Sequence, residues 1–317
     1  MTVLVTGGAG FIGSHFIERL LAAEPETRII CLDNFNDYYD PLLKRANLAA
    51  FVGRPQVAVV EGTFCDPVLV EMLFERQSIR RVVHLGGYAG VRASSSKPLV
   101  YEEANVRGTL VLLEAVRKRP VERFVFASSS TVYGEGSLVP FQEDAPLGVP
   151  LSPYGVTKRA AEMLTLHYQQ VHGVPSVSLR PFSVYGPRMR PDLAIHVFAT
   201  AIDEGRPIPL FGDGSYRRDF THVSDVCSGL LAAQDRNEAI GQAINLGHHE
   251  PIAMLELVQL LAAELGKPAT IDFRPAFPGD MPVTCADLTK ARRLLGYQPQ
   301  VSIAEGVRDF IRWFRQR

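Results

Sequence analysis

Residues 2–13 read Thr2-Val3-Leu4-Val5-Thr6-Gly7-Gly8-Ala9-Gly10-Phe11-Ile12-Gly13, a short β-branched apolar run that breaks into glycines. From Phe11 to Leu21 apolar residues recur at helical spacing. The pattern predicts a buried parallel strand, a glycine turn and a helix. In that arrangement backbone N–H groups and a helix N-terminus converge on a pyrophosphate, as dinucleotides require. The spacing is Gly-x-x-Gly-x-x-Gly rather than the commoner Gly-x-Gly-x-x-Gly, and an ordinary strand-to-helix turn would read the same way. Asp33 adds an independent signal. It closes the apolar run Ile29-Ile30-Cys31-Leu32 about twenty residues past the last glycine, where a carboxylate accepts hydrogen bonds from the adenosine ribose. A carboxylate there also repels a 2′-phosphate, so the reading is NAD over NADP.

The length, 317 residues, allows one large α/β domain or two closely joined ones, with a sizeable core. A net charge of −1 offers no global field for nucleic acid or a membrane surface. An anionic substrate would therefore be held by a few placed arginines. Cys31, Cys65, Cys227 and Cys285 lack Cys-x-x-Cys spacing, which indicates neither a disulfide framework nor a zinc site. The start lacks a basic stretch followed by an apolar region, and no segment has transmembrane length. The expectation is a cytoplasmic protein with reduced cysteines and no metal.

Strands are predicted at Val57–Glu61, Arg81–Leu85, Arg123–Ala127 and Ser176–Arg180, and helices between them at Pro67–Gln77, Leu99–Lys118 and Ser152–Val171. This alternation implies right-handed βαβ units and a doubly wound parallel sheet of Rossmann type, with ligands beyond the carboxyl ends of the strands. From about Pro181 prolines break the chain into short pieces, and Gly212-Asp213-Gly214 reads as a turn between short strands. Helical patterns return at Ser224–Gln234, Met254–Glu264, Asp287–Leu295 and Ile303–Phe314. The expected organisation is a dinucleotide-binding domain over residues 1–180 and a smaller α/β substrate-binding portion over 181–317. Gln242–Leu246 is a candidate strand returning to the first sheet.

If 152–171 is helical, Tyr154 and Lys158 stand at i and i+4 on one face. An ammonium near a phenol favours the phenolate, and a cationic nicotinamide adds to that effect. Tyrosine can then act as general base toward an alcohol. The cluster Ser128-Ser129-Ser130-Thr131 follows a buried strand at its carboxyl end, where a hydroxyl could bond the reacting oxygen. An exposed helical pair and a serine-rich turn would carry the same letters.

Taken together, these residues resemble the extended short-chain dehydrogenase/reductases, nearest to the NAD-dependent nucleotide-sugar epimerases and dehydratases. The resemblance rests on the glycine turn, His84-Leu85-Gly86-Gly87, Asn105, Ser128–Ser130, Tyr154/Lys158 and Arg180-Pro181-Phe182-Ser183-Val184-Tyr185-Gly186-Pro187. It continues through Arg218-Asp219-Phe220-Thr221-His222-Val223-Ser224-Asp225, Pro278-Gly279-Asp280 and Ala286-Asp287, in order along nearly the whole chain. It implies Ser129 as hydroxyl partner, Tyr154 as base and Lys158 as its modulator and ribose anchor. Gly7, Gly10, Phe11, Ile12, Gly13, Asp33, Asn34, Thr63, Phe64, Leu85, Gly86 and Asn105 would serve NAD. Arg190 and Arg218 are expected at the UDP end, where charge-assisted bonds to diphosphate are strong. Arg92 and Asp280 join the substrate set. Two departures stand out: Gly62-Thr63-Phe64 where the family usually has Gly-Asp-hydrophobic, and Gly86-Gly87 where two alanines are commoner.

The residues after Ser129 discriminate between reactions. Similar 4,6-dehydratases carry Asp-Glu there, and UDP-glucuronate decarboxylases a Glu at the second position; this chain has Ser130 and Thr131. It therefore looks like an epimerase. The runs at 33–41, 89–92, 185–192 and 278–284 are similar to UDP-glucuronate 4-epimerases, and Phe277 stands where UDP-glucose 4-epimerases commonly have Arg. Ser130, Thr131 and Ser183 would then cradle the sugar carboxylate with neutral hydroxyls. The alternatives are a UDP-glucose/UDP-N-acetylglucosamine 4-epimerase, a decarboxylase, or a non-catalytic NAD-binding regulator. A homodimer is expected from the family, with Val111, Leu112, Leu164 and Tyr168 as candidate outer-face contacts, though core burial explains the same residues.

Overall fold

Apolar runs of five or six residues become seven parallel strands: β1 (Thr2–Thr6), β2 (Arg28–Asp33), β3 (Val57–Glu61), β4 (Ile79–His84), β5 (Arg123–Ala127), β6 (Ser176–Pro181) and β7, the shorter Ala243–Leu246. In this computed structural model, which describes residues 1–276 and 279–316, they stand in the order β7-β6-β5-β4-β1-β2-β3. Phe277 and Pro278 lie outside the described residues. Alternate side chains of each strand enter opposite layers. Val3 and Val5 join one core and Leu4 the other, all three fully buried. Burying each such side chain contributes roughly 1.5–3 kcal/mol.

Helices cover both faces. α1 (Phe11–Ala23) and α5 (Val223–Ala233) pack together on one side; α2 (Pro67–Arg76), α3 (Gly108–Lys118) and α4 (Pro153–His172) pack in sequence on the other. The chain runs outward from β1 to β3, then returns to β4 on β1's other side, so the strand order reverses between β1 and β4. Ligand crevices form at such a point, beyond the carboxyl ends of the strands. β7 pairs with β6 at the sheet's edge, so the segment 223–246 belongs to the first layers even though it follows the expected boundary at 180. Among the described residues no helix is long and apolar enough to cross a membrane.

Two expectations change. The predicted helix over 99–118 is divided: Pro98–Glu102, a π turn at Glu103–Arg107, then α3. Helical periodicity cannot announce that extra residue, and π turns gather at functional sites. Gly212–Gly214 is a turn between short strands, as its letters predict, and each strand finds its partner elsewhere. Ile208–Phe211 pairs with Ile271–Arg274, and Arg217–Arg218 with Ile252–Ala253. Finally, Leu112 and Tyr168 are core residues, and Val111 and Leu164 pack against that core. The exposed apolar side chains of these helices are instead Leu99, Leu110, Val156, Met163, Leu166 and Val171.

α4 is set by its ends and by one buried ion pair. The Ser152 hydroxyl accepts from Gly155 N–H, Pro153 occupies the first turn, and Gly173 terminates the helix at φ +69°. Midway, Glu162 receives two bonds from Arg180 of β6, at 2.6 and 3.0 Å, with both residues buried. Removing one member of such a pair leaves an uncompensated buried charge. Glu162→Gln should cost about 3 kcal/mol in urea unfolding, and the double change to methionine at 162 and 180 far less. Equal losses from both would show that the charges are not coupled.

Candidate active site

The glycine turn does what its spacing requires. Gly7 has φ +67° and donates to Leu32 O at 2.8 Å, while Gly10 donates to Gly7 O at 3.1 Å. A Cβ on Gly13 would lie 2.2 Å from Gly7 O, so the turn and α1 can approach this closely only without side chains. Beside it is a cavity of about 400 Å³, lined by Gly7, Gly10, Phe11, Ile12, Gly13, Asp33, Asn34, Thr63, Phe64, Leu85 and Gly86 from the sequence-predicted set. It continues to Tyr154 and Lys158. The buried hydroxyls of Ser128 and Tyr39 line it with no protein partner, as an interior awaiting a polar ligand would have them. These features fit a dinucleotide.

Asp33 sits at the end of β2 and accepts from Phe35 N–H at 3.0 Å and Ala9 N–H at 3.2 Å. Burial pushes its carboxyl above the usual range, and those bonds with nearby Lys44 pull it back. Lys44 was not legible from spacing. It lines the cavity, donates to Asn36 O and Oδ1, and lies over the Tyr39 ring. Thr63 Oγ1 accepts from Cys65 N–H at 3.2 Å, and its proton remains available. Asn105 departs from expectation. It is buried away from the cavity lining, and its amide ties Tyr88 N–H and C=O to Thr157 Oγ1 at 2.9–3.0 Å. It is a strut that the π turn makes possible.

At the other end β5 finishes at Ala127, and a short 3₁₀ turn, Ser130–Val132, follows. Lys158 is nearly fully buried. Its Nζ donates to Ala127 O at 2.7 Å and lies 4.9 Å from the Phe126 ring centroid. Burial pushes its pKa down to about 8. Tyr154 lies on the same face of α4. Burial raises its phenol above the ordinary value, while a hydrogen bond with Ser129 and the Arg190 charge pull it down. Arg190, expected at the diphosphate end, thus also brings its charge to bear on this phenol. Ser129 Oγ accepts from Thr131 N–H at 3.2 Å and from the Thr131 hydroxyl at 2.9 Å, leaving its own proton to donate toward Tyr154.

Two substrate expectations change accordingly. The Thr131 hydroxyl is committed to Ser129, so it orients that serine rather than pointing outward. Arg190 lines the same cavity as Tyr154 and chelates Asp192 with two bonds of 2.9 Å, apart from Arg218. Arg218 instead meets Asp280 at 3.0 Å, Arg92 approaches that carboxylate at 3.8 Å, and Arg92 stacks on Phe211 at 3.9 Å. Arg92, Arg218 and Asp280 form one cluster outside the cavity lining. Ser130 opens the 3₁₀ turn, and Ser183 begins the strand Ser183–Tyr185, which pairs with Phe220–His222.

The cavity at the strand-order reversal fits a dinucleotide, and Tyr154 and Lys158 line its end with Ser129 beside them. A sequence model of the GDP-mannose 4,6 dehydratase family matches residues 4–310. A UDP-glucuronate 4-epimerase of Thermodesulfobacterium geofontis is 38% identical over 315 residues, 99% of this chain and 96% of that protein. Among solved structures, a UDP-glucuronic acid 4-epimerase from Bacillus cereus, in complex with UDP-glucuronic acid and NAD, superposes with a TM-score of 0.93. It is 36% identical and covers 100% of this chain and 99% of its own. A dTDP-glucose 4,6-dehydratase from Streptomyces venezuelae, with NAD bound, superposes at 0.91 and 33% identity, covering 100% and 97%. The chain belongs to the NAD-dependent nucleotide-sugar epimerase/dehydratase family of extended short-chain dehydrogenase/reductases.

In the cofactor-free protein burial should make the Tyr154 phenol harder to ionise than a free tyrosine. Ultraviolet difference titration of the wild type against Tyr154→Phe should place this phenol's transition above that of free tyrosine. Binding of the oxidised, cationic cofactor should bring the transition down. A phenolate near neutral pH without cofactor would contradict the assignment of burial as the dominant influence.

Proposed function

We propose that this protein is an isomerase that interconverts UDP-glucuronate and UDP-galacturonate by NAD-dependent epimerisation at carbon 4. The observation that carries the choice of reaction is the turn after β5. Ser129 is followed by Ser130 and Thr131, with no carboxylate on the turn to remove a carbon-5 proton. Elimination of water needs such a base; epimerisation does not.

Tyr154 takes the proton of the sugar 4-hydroxyl while the Ser129 hydroxyl donates to the same oxygen. NAD, held by Gly7, Gly10, Gly13 and Asp33, would supply a reversible hydride acceptor for carbon 4. The 4-keto sugar turns about its diphosphate linkage, and Tyr154 gives the proton back on the other face. Lys158 stays an ammonium below about pH 8 and serves as ribose anchor. Ser130 and Ser183 hold the sugar carboxylate through neutral hydroxyls. Arg92 and Arg218, spaced by Asp280, receive the diphosphate. On this reading residues 1–180 carry cofactor and catalysis, and 181–317 the nucleotide-sugar end. A reducing cytoplasm suits the free cysteines.

Supplied separately with UDP-glucuronate and UDP-glucose, the purified protein should convert the first to UDP-galacturonate and leave the second unchanged, as read by NMR of the sugar products. UDP-galactose, a 4-keto-6-deoxy sugar or a pentose would assign the site to a neutral-sugar epimerase, a dehydratase or a decarboxylase respectively. The apolar side chains left outside by the helices, notably Leu99 and Met163 at 79% and 64% exposure, support a homodimer. Leu99→Lys with Met163→Glu should convert it to monomer in light scattering; a monomeric wild type would refute that interface.

A further inference from the structure

The loop between β2 and the following helix carries more than Asp33. Residues 34–40 bend back through Phe35, which has φ +46°, and are pinned by bonds from Asn36 N–H to Asn34 Oδ1 and from Tyr38 N–H to Asn36 Oδ1. A non-glycine residue in the left-handed region is held there only when its surroundings fix it. The loop thereby projects Tyr38 across the cavity, away from the strand it came from.

Tyr38 is then gripped from three directions. Its hydroxyl donates to Ala89 O in the loop after β4, and Tyr101 donates to the same carbonyl at 3.1 Å. The Tyr38 hydroxyl also lies 3.4 Å from Asp192 Oδ2, so its proton has two acceptors on separate segments. The Arg190 guanidinium, locked by Asp192, stands 5.1 Å from the Tyr38 ring centroid. Tyr88 meets the ring edge-on at 5.4 Å. The neighbouring Gly90 has φ +116°, and a Cβ there would lie 2.8 Å from the Tyr38 hydroxyl. The loop after β4 is thus shaped to admit this phenol. Tyr38, Ala89 and Arg190 all line the cavity whose far wall is the glycine turn.

We infer that Tyr38, closed onto Ala89 and onto the Arg190–Asp192 pair, is a latch that retains the dinucleotide between turnovers. The inference rests on the reading of this cavity as the NAD site. The latch joins three segments that approach the cavity independently, and a molecule as long as a dinucleotide cannot leave without parting them. Such a device suits a reaction that regenerates its cofactor each cycle and gains nothing from releasing it. Tyr38 is a positioning residue here: it exchanges no proton with the sugar, and its effect falls on cofactor residence time.

The test is a chase experiment on the holoenzyme. The wild type, Tyr38→Phe and Asp192→Asn are loaded with radiolabelled NAD, mixed with excess unlabelled NAD, and sampled by rapid filtration. Tyr38→Phe keeps the ring and removes only the hydroxyl; Asp192→Asn keeps the shape and removes the charge that locks Arg190. Each should release label about tenfold faster, as expected for loss of a buried or charge-assisted hydrogen bond. Thermal melts of the nucleotide-free forms should agree with wild type, separating faster release from a damaged fold. Release rates within about twofold of wild type in both variants would overturn the latch while leaving the cofactor assignment standing. A wild type that takes up no NAD would overturn the assignment itself, and the latch with it.

Discussion

The site depends on one hydrogen bond between a buried ammonium and the last carbonyl of a strand. Lys158 Nζ reaches Ala127 O at 2.7 Å, and through it α4 is fixed against the end of β5. Everything reactive is referred to that joint. Tyr154 stands one turn before Lys158, and Ser129 stands two residues beyond Ala127. Burying an ammonium is unfavourable, which its depressed pKa reflects. The fold can hold it because β5 and β6 are fully packed and because α4 is tied independently to β6 through Glu162 and Arg180.

From that joint the division of labour follows. The strand-order reversal between β1 and β4 opens a crevice, and the glycine turn lines one side of it with backbone. The serine turn and α4 line the end where an alcohol can be oxidised. Arg190 reaches this region from the second half of the chain, because Gly186 at φ +140° and Arg188 at φ +61° turn the segment back toward the cavity. Arg188 is held in that conformation by His15 and Glu18 of α1. The helix that starts at the cofactor turn therefore also braces the segment carrying Arg190.

The features legible in the sequence were those encoded by local pattern. The glycines, Asp33 and the strand runs each signal through neighbours within a few residues, and the sheet followed from their alternation. The Tyr154/Lys158 pair was legible because i and i+4 share a helical face. What the sequence did not disclose was set by contacts between distant segments. The π turn that makes Asn105 a strut leaves no mark on apolar periodicity. The positions of Arg190 and Lys44 depend on positive-φ backbone at Arg188 and Phe35, which their letters do not announce. For Val111, Leu112, Leu164 and Tyr168 an outer face and core burial read alike in the sequence, because a helix packed against both a sheet and another helix has two apolar stripes.

The central claim is that the joined Ser129, Tyr154 and Lys158 direct a reversible oxidation at carbon 4 of the sugar. It is tested most directly with UDP-glucuronate carrying deuterium at carbon 4. The account predicts that the epimerised product keeps the deuterium at carbon 4, with no exchange into solvent and a slowed rate when hydride transfer limits. Loss of the label to water, or solvent deuterium entering at carbon 5, would mean that inversion proceeds by proton abstraction from carbon and would contradict it.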